Sequence, residues 1–218
     1  YDLSSPLARF IAQNNQELPL PYKRYAIQNV FRNEKAGNAR YREFTQADCD
    51  IVGNVNPAQA NAELCNLIVS TLLACGLKKD QFVVSVSNRK IVQGLIEDLK
   101  ISEDKKTKVM RAIDKLDKPG FGLKGVEDLL KKERIDDSGA VTKGADLTDS
   151  EASQIINFLK VKDLKELKEN LKNPLSQEGV KELEDLLEVA SYGDYQEQIK
   201  TNFTIVRGLD YYDGFCVE

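Results

Sequence analysis

Residues 29–50 of this chain, NVFRNEKAGNARYREFTQADCD, concentrate arginines around one turn. From residue 22 to residue 43 there are six lysines and arginines against two acids, a local charge of +4 in a chain of net charge −4. Arginine side chains bind phosphate oxygens through paired N–H groups and stay charged at any working pH. The segment therefore predicts an anion site, and an exposed hairpin whose charges are only solvated is the alternative.

Three polar residues follow this turn at alternating positions. Gln46, Asp48 and Asp50 point to one face if the segment is a strand, because side chains alternate across a strand. Polar side chains in a row on an otherwise apolar strand predict a binding site. An edge strand whose polar face is exposed to solvent would give the same pattern.

A second candidate site lies near the C-terminal end, in the segment VRGLDYYDGF at 206–215. Arg207 stands beside Gly208, which allows close backbone approach, and Tyr211 and Tyr212 point to opposite faces of an extended chain. These residues could bind a ligand. Without further context, packing of an aromatic hairpin explains them equally well.

The chain contains no histidine, and this absence excludes several kinds of chemistry. Serine–histidine and cysteine–histidine catalysis, an imidazole general base and a histidine-ligated metal all need that side chain. The four cysteines are scattered without a CxxC pair, so we predict no metal site built from protein side chains. They are Cys49, Cys65, Cys75 and Cys216.

The composition, 41% hydrophobic and 30% charged over 218 residues, is that of a globular chain. No run of about 18 apolar residues suggests a membrane span, and no basic and apolar leader is present. We therefore predict a cytoplasmic protein without membrane contact. The chain begins at Tyr1 and its only methionine is Met110, so we expect it to be a piece of a longer protein.

The sequence pattern places these residues on an α+β framework. A helix is predicted at 5–13, with Ser5 as its N-cap, followed by a hairpin of strands at 25–31 and 41–52 around the arginine-rich turn. A helix opening at Pro57 and a buried strand, QFVVSVSN, come next.

Between about residues 89 and 195 the chain becomes rich in lysine, glutamate and leucine, and five amphipathic helices are predicted there. The segment after them returns to strand-like composition. The predicted organisation is a core formed by 1–88 and 196–218, with 89–195 as an inserted helical domain.

The two motifs together resemble a known family. The hairpin is similar to motif 2 of class II aminoacyl-tRNA synthetases, specifically the histidyl-tRNA synthetases, where FRxE, a loop and RYREFxQxDxD follow one another. RGLDYYDGF resembles the family signature RGLDYYTG, with Asp213 in place of threonine, and the opening YDLS resembles YDLT, where Ser4 keeps the hydroxyl. The resemblance implies a largely antiparallel sheet flanked by helices, with an inserted all-helical domain.

The resemblance also implies roles for the charged residues. Arg32 and Arg207 would be catalytic and would bind the α-phosphate of ATP from two sides. Glu34 would lie near the adenine, and Arg40 would reach the outer phosphates.

The same family likeness implies an amino-acid pocket. Asp2, Ser4 and Gln46 would receive the ammonium group of histidine. The residues implied around its imidazole are Asp50, Tyr211 and Tyr212.

The implied function is a histidine–tRNA ligase, which forms histidyl-adenylate from L-histidine and ATP and transfers the histidyl group to tRNA(His). ATP would be a substrate, Mg²⁺ would bind mainly through its phosphates, and the intact enzyme would be a homodimer. The helical domain would approach the acceptor end of the tRNA. Two alternatives are a regulatory subunit of histidine biosynthesis that does not charge tRNA, and a helical RNA-binding module, which the pI of about 5.2 disfavours.

Overall fold

The computed structural model of the chain describes residues 1–33, 35–118, 120–135, 141–206 and 213–218. Within these residues the chain forms eight helices and seven strands, and it divides into two compact units, Tyr1–Asn56 and Pro57–Glu218. The predicted α+β class is confirmed.

The first unit is a helix and a long hairpin. Its elements are α1 (Ser4–Asn14), β1 (Tyr22–Phe31) and β2 (Glu43–Val52). The two strands pair antiparallel over their whole length, from Tyr22 opposite Val52 to Phe31 opposite Glu43. The predicted hairpin is therefore confirmed. Because side chains alternate along a strand, the even-numbered residues of both strands share one face.

The predicted N-cap of α1 was wrong. The helix begins at Ser4, and the cap position is Leu3, which offers no side-chain hydrogen bond. The carboxylate of Asp2 takes this role instead, since its Oδ1 accepts the Ser5 backbone N–H at 2.8 Å. Ser5 is the second residue of the helix, so its own backbone N–H needs an acceptor, which the Asp2 carboxylate provides.

The second unit contains the remaining elements. They are α2 (Pro57–Ala74), β3 (Val84–Asn88), α3 (Arg89–Asp98), α4 (Glu103–Ile113), α5 (Gly122–Lys131), β4 (Arg134–Ile135), β5 (Val141–Thr142), α6 (Asp149–Lys160), α7 (Leu164–Asn170), α8 (Pro174–Ser191), β6 (Ile199–Thr201) and β7 (Phe215–Val217). The five helices predicted between residues 89 and 195 are present, and α7 was not predicted. Its seven residues carry a single fully buried side chain, Leu167, so they show little periodicity.

A three-stranded sheet in the second unit has the order β6-β3-β7. The central strand β3 pairs parallel with β6 and antiparallel with β7, so the described strands form one parallel pair and three antiparallel pairs. The helices α3 and α8 pack on each other, and α8 also packs on α2 and β3. This arrangement fixes the chain just before β7, where the second sequence motif ends.

The core of the second unit is a continuous cluster of buried apolar side chains. The middle of α8 supplies Val180, Leu183 and Leu186, each at most 1% exposed. Full burial of one such side chain stabilises a fold by about 1.5–3 kcal/mol. The described helices include none that combines the length and the apolar character needed to cross a membrane.

Candidate functional site

The predicted row of polar side chains on β2 is present, and two of its members share a hydrogen bond. Gln46, Asp48 and Asp50 lie on one half-buried face of the hairpin, opposite Gln28, Ala26 and Arg24 of β1, respectively. The Gln46 amide donates from Nε2 to Asp48 Oδ1 at 2.6 Å. This row of side chains on β2 is called the polar ladder below.

Arg32 lies just beyond the end of β1 and points toward the ladder. Its backbone N–H donates to the Arg42 carbonyl at 2.8 Å, which begins the loop. Its guanidinium carbon lies 4.8 Å from the centre of the Phe44 ring, and Nη2 lies 3.5 Å from Gln46 Oε1. The stacked, exposed guanidinium keeps most of its donors available for an anion.

The loop between the strands ends in a tight turn. Gly37 and Arg40 exchange two backbone hydrogen bonds of 3.1 Å each, and Ala39 adopts a positive φ of 56°. Arg40 closes this turn and is exposed. Glu34, the predicted neighbour of the adenine, lies outside the described residues.

The segment that precedes α1 is attached to the same hairpin. The Phe31 N–H donates to the Tyr1 carbonyl at 3.1 Å, so the chain from Tyr1 to Ser4 runs beside β1. The hydrogen bond from the Ser5 backbone N–H lowers the pKa of Asp2, and the Ser5 hydroxyl adds a second bond at 3.3 Å. Asp2 is therefore an anion at a helix N-terminus, and its carboxylate retains lone pairs for a further donor.

Asp2 also lines a surface pocket of about 460 Å³. The other lining residues are Tyr1, Ser5, Pro6 and Arg9. Ser4, the first residue of α1, is exposed. Of the predicted histidine-binding residues, the first unit thus contains Asp2, Ser4, Gln46 and Asp50.

Arg24 is a contact of Asp50 that sequence reasoning missed. Its Nη2 lies 2.9 Å from Asp50 Oδ2, and the same nitrogen donates to the Leu3 carbonyl at 3.0 Å. The signal was available once the hairpin register was assumed, because that register places an arginine directly opposite Asp50.

A polar cluster in the second unit lies at the entry to β7. The Gly214 carbonyl accepts the Arg89 backbone N–H at 2.8 Å, and Asn88 caps α3 by accepting the Lys90 N–H at 3.0 Å. The Asn88 amide also donates to Glu182 at 2.5 Å. A methyl group added at Gly214 would lie 3.6 Å from Glu182 and 3.8 Å from Lys90, so the cluster lies directly beneath this glycine.

Lys90 holds this cluster together by bonding two glutamates of α8. Its Nζ lies 2.7 Å from Glu178 and 2.5 Å from Glu182. Burial acts to lower the pKa of Lys90, but the hydrogen bonds to these two carboxylates outweigh it and raise the pKa. Lys90 therefore stays charged, and β7 begins at a point fixed by α3 and α8.

The remaining predicted site residues, Arg207, Tyr211 and Tyr212, lie outside the described residues. Asp213, which replaces the family's threonine, is exposed. Across the described parts of the chain, no three acidic or cysteine side chains converge to form a metal site.

Three similarities to known proteins bear on this arrangement. The sequence model of the histidyl-tRNA synthetase family matches residues 1–218. The histidine–tRNA ligase of Pelagibacter ubique is 87% identical over all 218 residues, which make up 47% of that protein. The solved histidyl-tRNA synthetase from Nostoc superimposes with a TM-score of 0.81 at 27% identity, over 100% of this chain and 48% of that one.

A structure from Bacillus halodurans, named as an ATP phosphoribosyltransferase regulatory subunit/histidyl-tRNA synthetase, superimposes with a TM-score of 0.77. It covers 100% of this chain and 52% of that one at 20% identity, a level at which the likeness shows the fold alone. The chain spans about half the length of the Pelagibacter relative and of these solved proteins. The match of the family's own sequence model over residues 1–218 shows that the chain belongs to the histidyl-tRNA synthetase family.

Proposed function

We propose that this chain is part of the catalytic domain of a histidine–tRNA ligase. The whole protein activates L-histidine with ATP, releases pyrophosphate, and transfers the histidyl group to the 3′ end of tRNA(His). The observation that carries the proposal is the hairpin, which places an exposed guanidinium, Arg32, beside a ladder of amide and carboxylate side chains. Arginine suits a phosphate, and the ladder suits an amino acid with two basic groups.

The proposed reaction needs no side-chain base. The carboxylate of histidine attacks the α-phosphorus of ATP in line, a new P–O bond forms, and the bond to pyrophosphate breaks. Arg32 and Arg207 stabilise the negative charge that grows on the phosphoryl oxygens. Arg40 binds the outer phosphates and Glu34 the adenine. Mg²⁺, held mainly by the ATP phosphates, would supply positive charge near the pyrophosphate leaving group.

The amino-acid pocket is proposed to divide into two parts. Asp2, Ser4 and Gln46 accept hydrogen bonds from the ammonium group. Asp50 and Tyr212 bind the imidazole, with Tyr211 beside them. A buried polar group left without its partner is costly, and pockets built this way reject other amino acids by roughly 10⁴-fold or more.

The full-length protein should catalyse ATP–pyrophosphate exchange that depends on histidine and on no other amino acid, and it should charge a tRNA(His) transcript. Arg32→Ala and Arg207→Ala should each slow the exchange by a factor on the order of 100 or more, because each removes a charge that acts in the transition state. Histidine binding without exchange would overturn the proposal in favour of the regulatory, non-charging alternative. Near-normal exchange in either variant would remove that arginine from the mechanism.

We further propose that residues 89–195 form the helical insertion, that its helices approach the acceptor end of the tRNA, and that the intact enzyme is a homodimer. The C-terminal end of α3 lies beside the N-terminal end of α8, since Asn173 Nδ2 lies 3.1 Å from Asp98 Oδ1. Replacing residues 100–172 by a short Gly/Ser linker therefore removes α4–α7 and leaves α3 and α8 on β3. We expect exchange to persist and tRNA charging to fall. Unchanged charging would contradict a tRNA contact made by α4–α7.

A further inference from the structure

Arg24 contacts two parts of the proposed amino-acid pocket at once. Its guanidinium lies 2.9 Å from the carboxylate of Asp50, the proposed partner of the imidazole. It also donates to the carbonyl of Leu3 at 3.0 Å. Leu3 lies between Asp2 and Ser4, the proposed partners of the ammonium group. One side chain therefore joins the two halves of the pocket.

The contact between Arg24 and Asp50 is an ion pair, and neither Arg24 Nε nor Asp50 Oδ2 has a hydrogen-bond partner among the described residues. The hairpin register places Arg24 directly opposite Asp50, so the two strands set the geometry of the pair. The side chains are only 18% and 25% exposed, and ion pairs screened less by water are stronger than surface pairs. One nitrogen, Nη2, makes both contacts, so a small movement of the guanidinium would disturb both.

Other charged groups of the first unit lie near this pocket, among them Arg32 beside Gln46 and Arg9 beside Asp2. Asp48 stands next to Asp50 on the same face and accepts a hydrogen bond from Gln46. Asp2 is bonded to Ser5. Among the hydrogen bonds and ion pairs described for Asp50, Arg24 supplies the positive charge.

We propose that Arg24 is a positioning residue for histidine recognition. It holds the Asp50 carboxylate and the Tyr1–Ser4 segment in the arrangement that the amino acid needs, and this inference rests on the proposed function. Arg24 acts through Asp50 and Leu3 rather than on the phosphorus atom. Its loss should therefore weaken histidine binding and leave the turnover of the bound complex almost unchanged.

The test uses histidine-dependent pyrophosphate exchange by the full-length protein. Arg24→Gln should raise the KM for histidine by a factor on the order of 10 or more, while kcat and the KM for ATP change by less than about threefold. Arg24→Lys keeps the charge on a more flexible and more strongly hydrated head group, so its KM should lie between those of wild type and Arg24→Gln. The matched control is Arg111→Gln on the exposed side of α4, which should leave all three constants unchanged.

Two further variants separate this inference from the proposed function. If Asp50→Asn leaves the histidine KM unchanged, the imidazole assignment fails. If Asp50→Asn raises the KM and a folded Arg24→Gln does not, the Arg24 inference alone is overturned. The histidine KM of the double variant should rise by less than the product of the two single effects, since part of the effect of Arg24 passes through Asp50. Fully multiplicative effects would contradict that coupling.

If Arg24 only stabilised the fold, Arg24→Gln would lower the melting temperature and leave the histidine KM unchanged. Should Arg24→Gln fail to fold, Arg24→Lys decides by the same measurement. A wild-type histidine KM in that variant would overturn the inference.

Discussion

The two units of this chain are built in different ways. In the described part of Tyr1–Asn56, the buried apolar side chains are Leu3, Leu7 and Val30. Of the residues proposed for chemistry, Gln46 and Asp50 lie on a half-buried face of the hairpin, with Asp48 between them. In Pro57–Glu218 a continuous apolar cluster extends through the helices, and the Asn88–Lys90–Glu182 cluster lies at the entry to β7. The first unit therefore has a small apolar core beside its polar ladder, whereas the second unit has an extensive apolar core.

Because of this difference, we expect substitutions in the two units to have two kinds of effect. A core residue of the second unit should change the free energy of unfolding with little effect on substrate constants. A ladder residue of the first unit should change substrate constants with little effect on stability.

Leu183→Ala should give the largest change in stability. Leu183 is 1% exposed in the middle of α8, and replacing a buried leucine by alanine costs about 2–5 kcal/mol through lost burial and the cavity left behind. Chemical denaturation of the full-length protein measures this cost. At a temperature where the variant stays folded, the KM for histidine should match wild type. A changed KM would break the separation between the two units.

Gln46→Ala should show the opposite pattern. The side chain bonds Asp48 and lies near Arg32, so its loss removes one proposed acceptor for the ammonium group. We expect the histidine KM to rise by a factor on the order of 10, with the free energy of unfolding lowered by no more than about 1 kcal/mol. Gln28→Ala, directly opposite on β1, is the matched control and should leave the histidine KM unchanged. Equal KM values for the two variants would remove Gln46 from the pocket.

These two expectations rest on features that the sequence predicted to different degrees. The hairpin, the polar ladder and most helices follow from local patterns, because alternation and helical periodicity lie within short stretches of chain. The Arg24–Asp50 pair follows only when the register is also assumed. The capping role of Asp2 was missed because Ser5 offered a competing cap one turn later.

The cluster beneath Gly214 could not be predicted. Asn88 and Glu182 are 94 residues apart in sequence, and neither stands in a motif that signals the other. Only the packing of α8 against α3 and β3 brings them together. Such contacts depend on tertiary structure, which local propensity does not specify.

Glu182→Gln tests whether this cluster matters to the reaction. The substitution keeps the shape of the side chain but removes the charge that pairs with Lys90. Because Gly214 follows Tyr212 by two residues, a disturbed cluster should misplace the end of the RGLDYY segment. We expect kcat for pyrophosphate exchange to fall about fivefold, since a small displacement of a substrate-binding residue reduces the reaction rate. Glu184→Gln, on the same helix and paired with Lys168, is the control and should leave kcat unchanged.

The smallest expected effect lies at the start of α6, far along the chain from either motif. Thr148 accepts the Glu151 backbone N–H, and Glu151 in turn accepts the Thr148 backbone N–H at 2.7 Å, which forms a capping box. Thr148→Ala should lower the free energy of unfolding by about 1 kcal/mol. Exchange constants should not change. A loss of exchange activity in folded protein would show that this end of the helical region influences the site.

The capping box also predicts a pH dependence with a definite sign. The hydrogen bonds from the Thr148 backbone N–H and hydroxyl lower the pKa of Glu151 below its ordinary value of 4.5. Because the folded-state pKa lies below the unfolded-state value, this contribution to stability is complete above pH 4.5 and is lost as the pH falls through the folded-state pKa. Glu151→Gln removes the charge at every pH. The stability difference between wild type and Glu151→Gln should therefore be constant near neutral pH and shrink in acid, and a difference that grows in acid would contradict the assigned bond.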